Sequence, residues 1–399
     1  MDNLNTDVLI SGGGIAGLTA ACAFGAAGFK VICVDPAPVI TNQGDTGADL
    51  RTTAFLQPAQ ALLQQAGIWD RLAEFAEPLQ IMRIVDAGGS AGVAREIVDF
   101  NAADISDLPF GWNLPNWLLR RELLAQISDT TQVTFLGGVF TQKVTTRETG
   151  AKITLSNGKS VRAKLVVGAD GRNSAVRTMA GIGVKTWRYG QMAVAFSVTH
   201  PVPHQNVSTE IHRHGGPFTL VPLPDLNGVP CSAVVWMEKT ATAQRLADVP
   251  VSEFNAAITR RSCNFFGPLT LVGRRTCWPI ISQLARRITA QRTALIAEAA
   301  HVVPPIGAQG LNMSLADLAS LLDLAKAAPQ NLGDVTMLAR YQRARLPDIT
   351  ARVTGIDALN RVSMAKNPVL RDIRQLGLKT LHGVTPLRKT LMRTGLGAK

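Results

Sequence analysis

The stretch Asp7-Val8-Leu9-Ile10-Ser11-Gly12-Gly13-Gly14-Ile15-Ala16-Gly17 decides the fold. A short apolar strand runs into a turn that fits GxGxxG at Gly12, Gly14 and Gly17. An Ala-rich helix follows to about Ala27, with Gly28 placed to cap it. A second strand, Val31-Ile32-Cys33-Val34, ends at Asp35, 23 residues after Gly12. Strand, glycine turn, helix, strand and acid in this register form a dinucleotide-binding βαβ unit. The glycines allow a tight turn, close approach of backbone to a pyrophosphate, and close packing of helix on strand. The helix start offers N–H groups and a positive dipole end to the phosphates. Asp35 is expected to accept a hydrogen bond from the adenosine ribose.

Two later segments have the same strand-into-turn character. Lys164-Leu165-Val166-Val167-Gly168-Ala169-Asp170-Gly171 is an apolar strand entering a polar turn, with a helix expected beyond Ser174. Ala294 to His301 reads as a buried strand, followed by a rigid loop containing Pro304, Pro305 and Gly307. A helix is expected from about Leu311 to Ala328, with Leu315, Leu318, Leu322 and Ala325 as its buried stripe. Between them, residues 180–290 alternate polar and apolar in short runs punctuated by Pro and Gly, the pattern of an antiparallel sheet.

Composition bounds what such a chain does. With 399 residues, 46% hydrophobic and 18% charged, it buries a large core and is not a disordered chain. No apolar run reaches the roughly 18 residues that span a bilayer. The acidic start, Met1 to Asp7, does not read as a signal or transit peptide. Five cysteines without a CxxC spacing argue against a disulfide framework or zinc site and suit buried thiols in the cytosol. No HExxH, Cys/His cluster or GxSxG is present, so hydrolytic and zinc chemistry lack support, and no metal is expected. Of the net charge of +12, residues 361–399 contribute nine Lys or Arg against one acid. The body is nearly balanced, so nucleic acid is not an expected partner. The tail mixes Leu370, Ile373, Leu376, Leu387, Leu391 and Met392 with its cations and reads as two short helices parted near Gly383 and Pro386. It is expected to hold an anionic membrane surface, with the enzyme on the cytoplasmic face.

Taken together, these segments resemble the class A FAD-dependent aromatic monooxygenases, the p-hydroxybenzoate hydroxylase superfamily. Asp49-Leu50-Arg51-Thr52-Thr53-Ala54, Tyr189-Gly190-Gln191-Met192-Ala193 and the run from Ala299 to Asn312 are most similar to its ubiquinone-biosynthesis hydroxylases, the UbiH/UbiF/VisC group. The resemblance implies an α/β fold: a Rossmann-like FAD-binding domain of glutathione-reductase type, an inserted antiparallel β-sheet substrate domain, and a helical C-terminal tail. The expected division is 1–75, 112–179 and 290–331 for FAD, 76–111 and 180–289 for substrate, and 332–399 for the tail, which turns helical near Leu332.

The resemblance also implies roles for residues. Gly12, Gly14, Ile15, Ala16, Gly17 and Asp35 would hold the ADP part of FAD, Arg120 would also bind the cofactor, and Asp170 and Gly171 belong to the second flavin motif. Glu298, Gly310, Leu311 and Asn312 belong to the third, with Arg51 close to the flavin and Pro304, Pro305 and Gly307 lining the reaction cavity. The family's third motif begins Gly-Asp, where this chain has Ala297-Glu298. His301 is read as a structural hydrogen-bonder without a proton-transfer role. NADPH or NADH would reduce FAD, and a flavin hydroperoxide would hydroxylate a polyprenylated phenol. With only Tyr189 and Tyr341, there is little material for a phenol-deprotonating relay. The alternatives are a monooxygenase of small aromatic or secondary metabolites, and a non-catalytic flavin-binding subunit among other quinone-biosynthesis proteins.

Overall fold

The computed structural model describes residues 3–87, 94–213, 215–364 and 385–396. Asn3–Ser11 lies inside a sheet ordered Thr289–Ala290, Thr293–Leu295, Ser160–Gly168, Asn3–Ser11, Val31–Asp35, Val133–Gly137. The last five of these strands are parallel. Parallel strands covered on both faces must be apolar along their whole length. Accordingly Val8, Leu9, Ile10, Leu165, Val166 and Val167 are all fully buried, each side chain stabilising by roughly 1.5–3 kcal/mol. The helix Ile15–Ala26 is buried from Ala16 to Gly25, because it packs against both Asn116–Ser128 and Gln309–Ala327. Thr141–Arg147 and Gly150–Leu155 form an antiparallel excursion leading into Ser160–Gly168.

A second eight-stranded sheet runs His301–Val302, Thr270–Ala285, Val184–Thr199, Val229–Lys239, Pro217–Leu226, Val207–His212, Ile81–Asp86, Glu96–Asn101. Its strands are longer than the short runs read from sequence, two of them reaching 16 residues. It is also not purely antiparallel: Val207–His212 pairs parallel with Ile81–Asp86. One face packs Phe196, Phe218 and Trp236 against the helices Thr240–Asp248 and Val251–Arg261, the second of which contributes Phe254. A three-stranded sheet of Thr52–Leu56, Gly111–Pro115 and Glu77–Leu79 joins the two halves. Glu77–Leu79, from the expected substrate part, pairs in this small sheet, and His301–Val302, from the expected FAD part, pairs in the second sheet.

The helix expected over Leu311 to Ala328 spans Gln309–Ala327, and the long C-terminal helix starts at Val335 and ends at Met364. The break expected near Gly383 lies outside the described residues, while Pro386 sits inside the first turn of a helix, Thr385–Leu396. That helix rests on the body. Met392 is buried with Leu56, Ala102 and Phe110, Arg388 pairs with Asp104 at 3.2 Å, and the Gly395 carbonyl accepts from Gln309. Among the described residues no helix is long and apolar enough to cross a membrane, and no cluster of His, Cys, Asp or Glu could hold a metal. Burial pushes the Cys22 thiol up to about 12 and raises that of Cys33 further, so these are inert core groups.

Candidate active site

Three loops meet at one sheet edge. Ser11 is in register with Gly168, and Gly168 with Leu295, so all three flavin-motif turns leave the carboxyl ends of adjacent parallel strands. Ala169 N–H donates to the Ser11 carbonyl at 2.8 Å and Ile296 N–H to the Gly168 carbonyl at 3.0 Å, tying each turn to the next. Gly12 and Gly17 are required by this packing: a Cβ would stand 2.3 Å from the Ala169 oxygen at Gly12, and 1.8 Å from the Gly12 oxygen at Gly17. Gly14 differs. It is exposed, has an ordinary φ of −71°, and a Cβ there would meet nothing within 4 Å. The open space lies at the start of a helix without a side-chain cap, where the free N–H groups of the Ile15–Ala16 turn suit a phosphate.

Asp35 accepts from the Gly13 and Ala37 N–H groups, which fix its carboxylate at the end of the second strand. An ionised carboxylate still has lone pairs for a ribose hydroxyl. Arg120 lies 3.9 Å from it and donates to the Pro38 carbonyl, while its buried Nε has no partner among the described residues.

In the second motif, the Asp170 carboxylate accepts from the Ser174 hydroxyl and from Val176 N–H, and Ser174 caps the helix Ala175–Met179. Asp170 therefore shapes its own turn, while Gly171, at φ +80°, has open space beside it. Buried Arg177 bridges the Arg172 and Ala299 carbonyls and so joins the second motif to the third.

The buried strand expected from Ala294 to His301 is interrupted. Thr293–Leu295 ends in a single turn, Ala297–Ala299, before His301–Val302 joins the other sheet. Ala297 sits at φ +57°, where a Cβ costs about 1–2 kcal/mol. The turn leaves Glu298 exposed, within electrostatic reach of Arg51 and without a hydrogen bond among the described residues. Glu298→Ala is expected to weaken FAD binding by roughly tenfold, for a lost charge-assisted hydrogen bond of about 1.5 kcal/mol. An FAD dissociation constant unchanged in flavin-fluorescence titration would show that the carboxylate points elsewhere.

Pro304 is buried and Pro305 half-buried in the loop that follows. Gly307 at φ +61° and Ala308 at φ +54° turn the chain into the helix Gln309–Ala327, which has no side-chain cap and no acid in its first turn. Gly310 and Leu311 thus begin a helix whose positive end is free to face the electron-rich edge of a reduced flavin. The Asn312 side chain is spent within the protein, accepting from Leu56 N–H and donating to the Ala54 and Ala308 carbonyls. It is a clasp between this helix and the Thr52–Leu56 strand, not a free side-chain ligand for FAD.

That strand begins beside Arg51. Arg51 grips Asp49 with two hydrogen bonds, 2.8 and 2.6 Å, and lies 5.2 Å from the Trp278 ring centroid. Burial alone would raise the Asp49 pKa, but the Arg51 guanidinium and Asn116 hold it below the usual carboxylate range. Behind Trp278, the second sheet presents Ala193, Met237 and Ile280 beside Tyr189 and Ile306, an apolar wall against the flavin-helix loop. Neither tyrosine is free to take a proton. The Tyr189 hydroxyl donates to Asp357, with burial and that carboxylate pushing it up to about 12, and buried Tyr341 donates to the Leu295 carbonyl. Trp278 and the buried Asp317 were not singled out from sequence; Asp49 stood in the stretch that carries the resemblance but was given no role of its own.

The open cradle at Gly14, two uncapped helix starts and the orphaned Arg120 Nε fit FAD. The chain belongs to the FAD binding domain family, which matches residues 5–355. It is accordingly an FAD-dependent monooxygenase, with a nicotinamide nucleotide as the family's reductant. Within that class it is similar to the ubiquinone hydroxylase UbiL of Rhodospirillum rubrum, 33% identical over 98% of this chain and 89% of that one. The 3-demethoxyubiquinol 3-hydroxylase of Escherichia coli is 27% identical over the whole of both chains. Among solved structures, the p-nitrophenol 4-monooxygenase PnpA of Pseudomonas putida shares the fold with a TM-score of 0.79, at 18% identity and 99% coverage of both chains.

Proposed function

We propose that this enzyme hydroxylates a ring carbon of a polyprenylated phenol in ubiquinone biosynthesis. The observation that carries the reading is end-to-end similarity to quinone hydroxylases, joined to an apolar wall where the ring would lie. FAD, reduced by NADPH or NADH, supplies the oxygen activation. The chain's own residues bind and orient. Gly12, Gly14, Ile15, Ala16 and Gly17 cradle the pyrophosphate, Asp35 and Arg120 flank the ribose, and Glu298 reaches the ribityl chain. Arg51, held by Asp49 and Trp278, borders the ring, while Pro304, Pro305 and Gly307 shape a cavity that excludes water. Asp170 and Gly171 support the cofactor through the shape of their turn. The parallel sheet and its antiparallel excursion support the glutathione-reductase type of FAD domain, and the second sheet supports the assignment of a substrate domain.

Deleting the gene in its host and identifying the accumulated quinone precursor by mass spectrometry tests this reading. A missing hydroxyl on a prenylated ring is expected, and an unchanged quinone pool would overturn it. Turnover of small soluble phenols with no change in host quinone would instead favour the small-aromatic alternative.

The basic tail supports attachment to the cytoplasmic face of an anionic membrane, where a prenylated substrate enters without crossing water. Each cation held near the leaflet contributes about 1 kcal/mol. Arg388 is already committed to Asp104 and Arg361 to Asp357, so Lys389, Arg393 and the cations of 362–384 would carry the attraction. Co-sedimentation with anionic liposomes is expected at low salt and is expected to fade as the Debye length shrinks from about 10 Å at 0.1 M towards 3 Å at 1 M. Equal binding to neutral liposomes would rule the attachment out.

A further inference from the structure

We infer that Asp317, with His301 and Arg345, is a positioning device for the third flavin segment, holding the Ala297–Glu298 turn in a left-handed conformation that its sequence disfavours. Asp317 is fully buried in the helix Gln309–Ala327. One carboxylate oxygen accepts from His301 Nε2 at 2.7 Å and from the Ala297 N–H at 3.4 Å. The other accepts from Arg345 Nε at 3.0 Å, and Arg345 is itself braced by Asp348 at 2.8 Å. The carboxylate thus grips both ends of the turn, Ala297 at its start and His301 just beyond it, from a helix whose own first turn faces the flavin site. Arg345, reaching in from the helix Val335–Met364, balances the buried charge.

The turn needs such a grip because of Ala297. At φ +57° glycine is at ease and alanine is strained. Locally a single backbone bond closes the turn, Ala300 N–H to the Ala297 carbonyl at 2.8 Å; there is no side-chain cap, and Glu298 has no hydrogen bond among the described residues. Backbone bonds from Ile296 to Gly168 and from Ala285 to Ala300 fix its flanks, and the side-chain restraint comes from Asp317 on Ala297 and His301 and from Arg177 on the Ala299 carbonyl. His301 thereby gains a use without proton transfer: it extends the reach of one carboxylate across the turn.

The inference rests on the proposed placement of FAD beside Glu298, and the test separates the two. Asp317→Asn removes the charge that gathers the three donors and is expected to weaken FAD binding about tenfold, with an altered visible circular-dichroism band of bound flavin. Adding Ala297→Gly removes the strain and is expected to restore most of the affinity and the native band, while Ala297→Gly alone changes affinity less than about twofold. If Asp317→Asn does not fold, Asp317→Glu keeps the charge opposite Arg345 but displaces the grip by one methylene, and the same rescue is read. Wild-type affinity and band in the Asp317 variant, or a loss that Ala297→Gly does not relieve, would overturn the inference. Failure of Glu298→Ala to affect FAD would instead overturn the placement.

Discussion

Gly14→Val is expected to give a folded protein that no longer retains FAD. The backbone at Gly14 is ordinary and no protein atom lies within 4 Å of an added Cβ, so the substitution leaves the apo fold undisturbed. The isopropyl group instead fills the space at the uncapped start of the Ile15–Ala26 helix, where a pyrophosphate would accept N–H bonds. Charge-assisted hydrogen bonds contribute about 1.5–3 kcal/mol each, so losing two weakens binding by a factor of at least about 10². Gly17→Ala is the opposing control: its Cβ would stand 1.8 Å from the Gly12 carbonyl oxygen, so it is expected to lower the apo melting temperature. Thermal unfolding of apo protein and flavin titration together check both outcomes. Full FAD occupancy in Gly14→Val would refute the phosphate placement, and an apo melting temperature far below wild type would mean that this glycine serves packing.

The two glycines show how far sequence alone reached. GxGxxG announced the turn, the helix and the cofactor class because each rule involved is local: strand period, glycine spacing, helix start. It did not separate glycines that meet protein from the one that faces open space: Gly12 is closed by Ala169, more than 150 residues away, and Gly17 by the Gly12 carbonyl, which only the folded turn brings against it. The same limit applies elsewhere. Asp170, read as a cofactor residue, also braces Ser174 and Val176 at the start of the helix that follows it, and Asn312 clasps a strand about 256 residues earlier in the chain. The alternation of residues 180–290 signalled a sheet but could not show that Ile81–Asp86 would join it in parallel, because pairing partners leave no mark on a strand's own period. Arg51 was legible through family likeness, whereas its stacking partner Trp278 was not.

Arg345→Met is expected to be the most destabilising single change in the charged network, at about 3–5 kcal/mol. Asp317 is fully buried and the Arg345 side chain is 11% exposed, so removing the guanidinium leaves a carboxylate that water cannot reach. The remaining donors, His301 Nε2 and the more distant Ala297 N–H, do not replace a full positive charge. The comparison that decides the point is Arg51→Met, which breaks a pair of equally good geometry. Both Arg51 hydrogen bonds to Asp49 are short, yet those side chains are 42% and 34% exposed, so solvent screening limits the loss to about 1 kcal/mol. Both variants are best unfolded as apo protein, because FAD binding would add its own stabilisation and blur the difference. A gap of 2 kcal/mol or more, on the order of the difference between these two ranges, is expected in denaturant unfolding. Equal losses would mean that burial does not set the weight of the Asp317 pair, and that the joint between the helix Gln309–Ala327 and the long C-terminal helix is held by packing around Leu318, Leu322 and Ile349 instead.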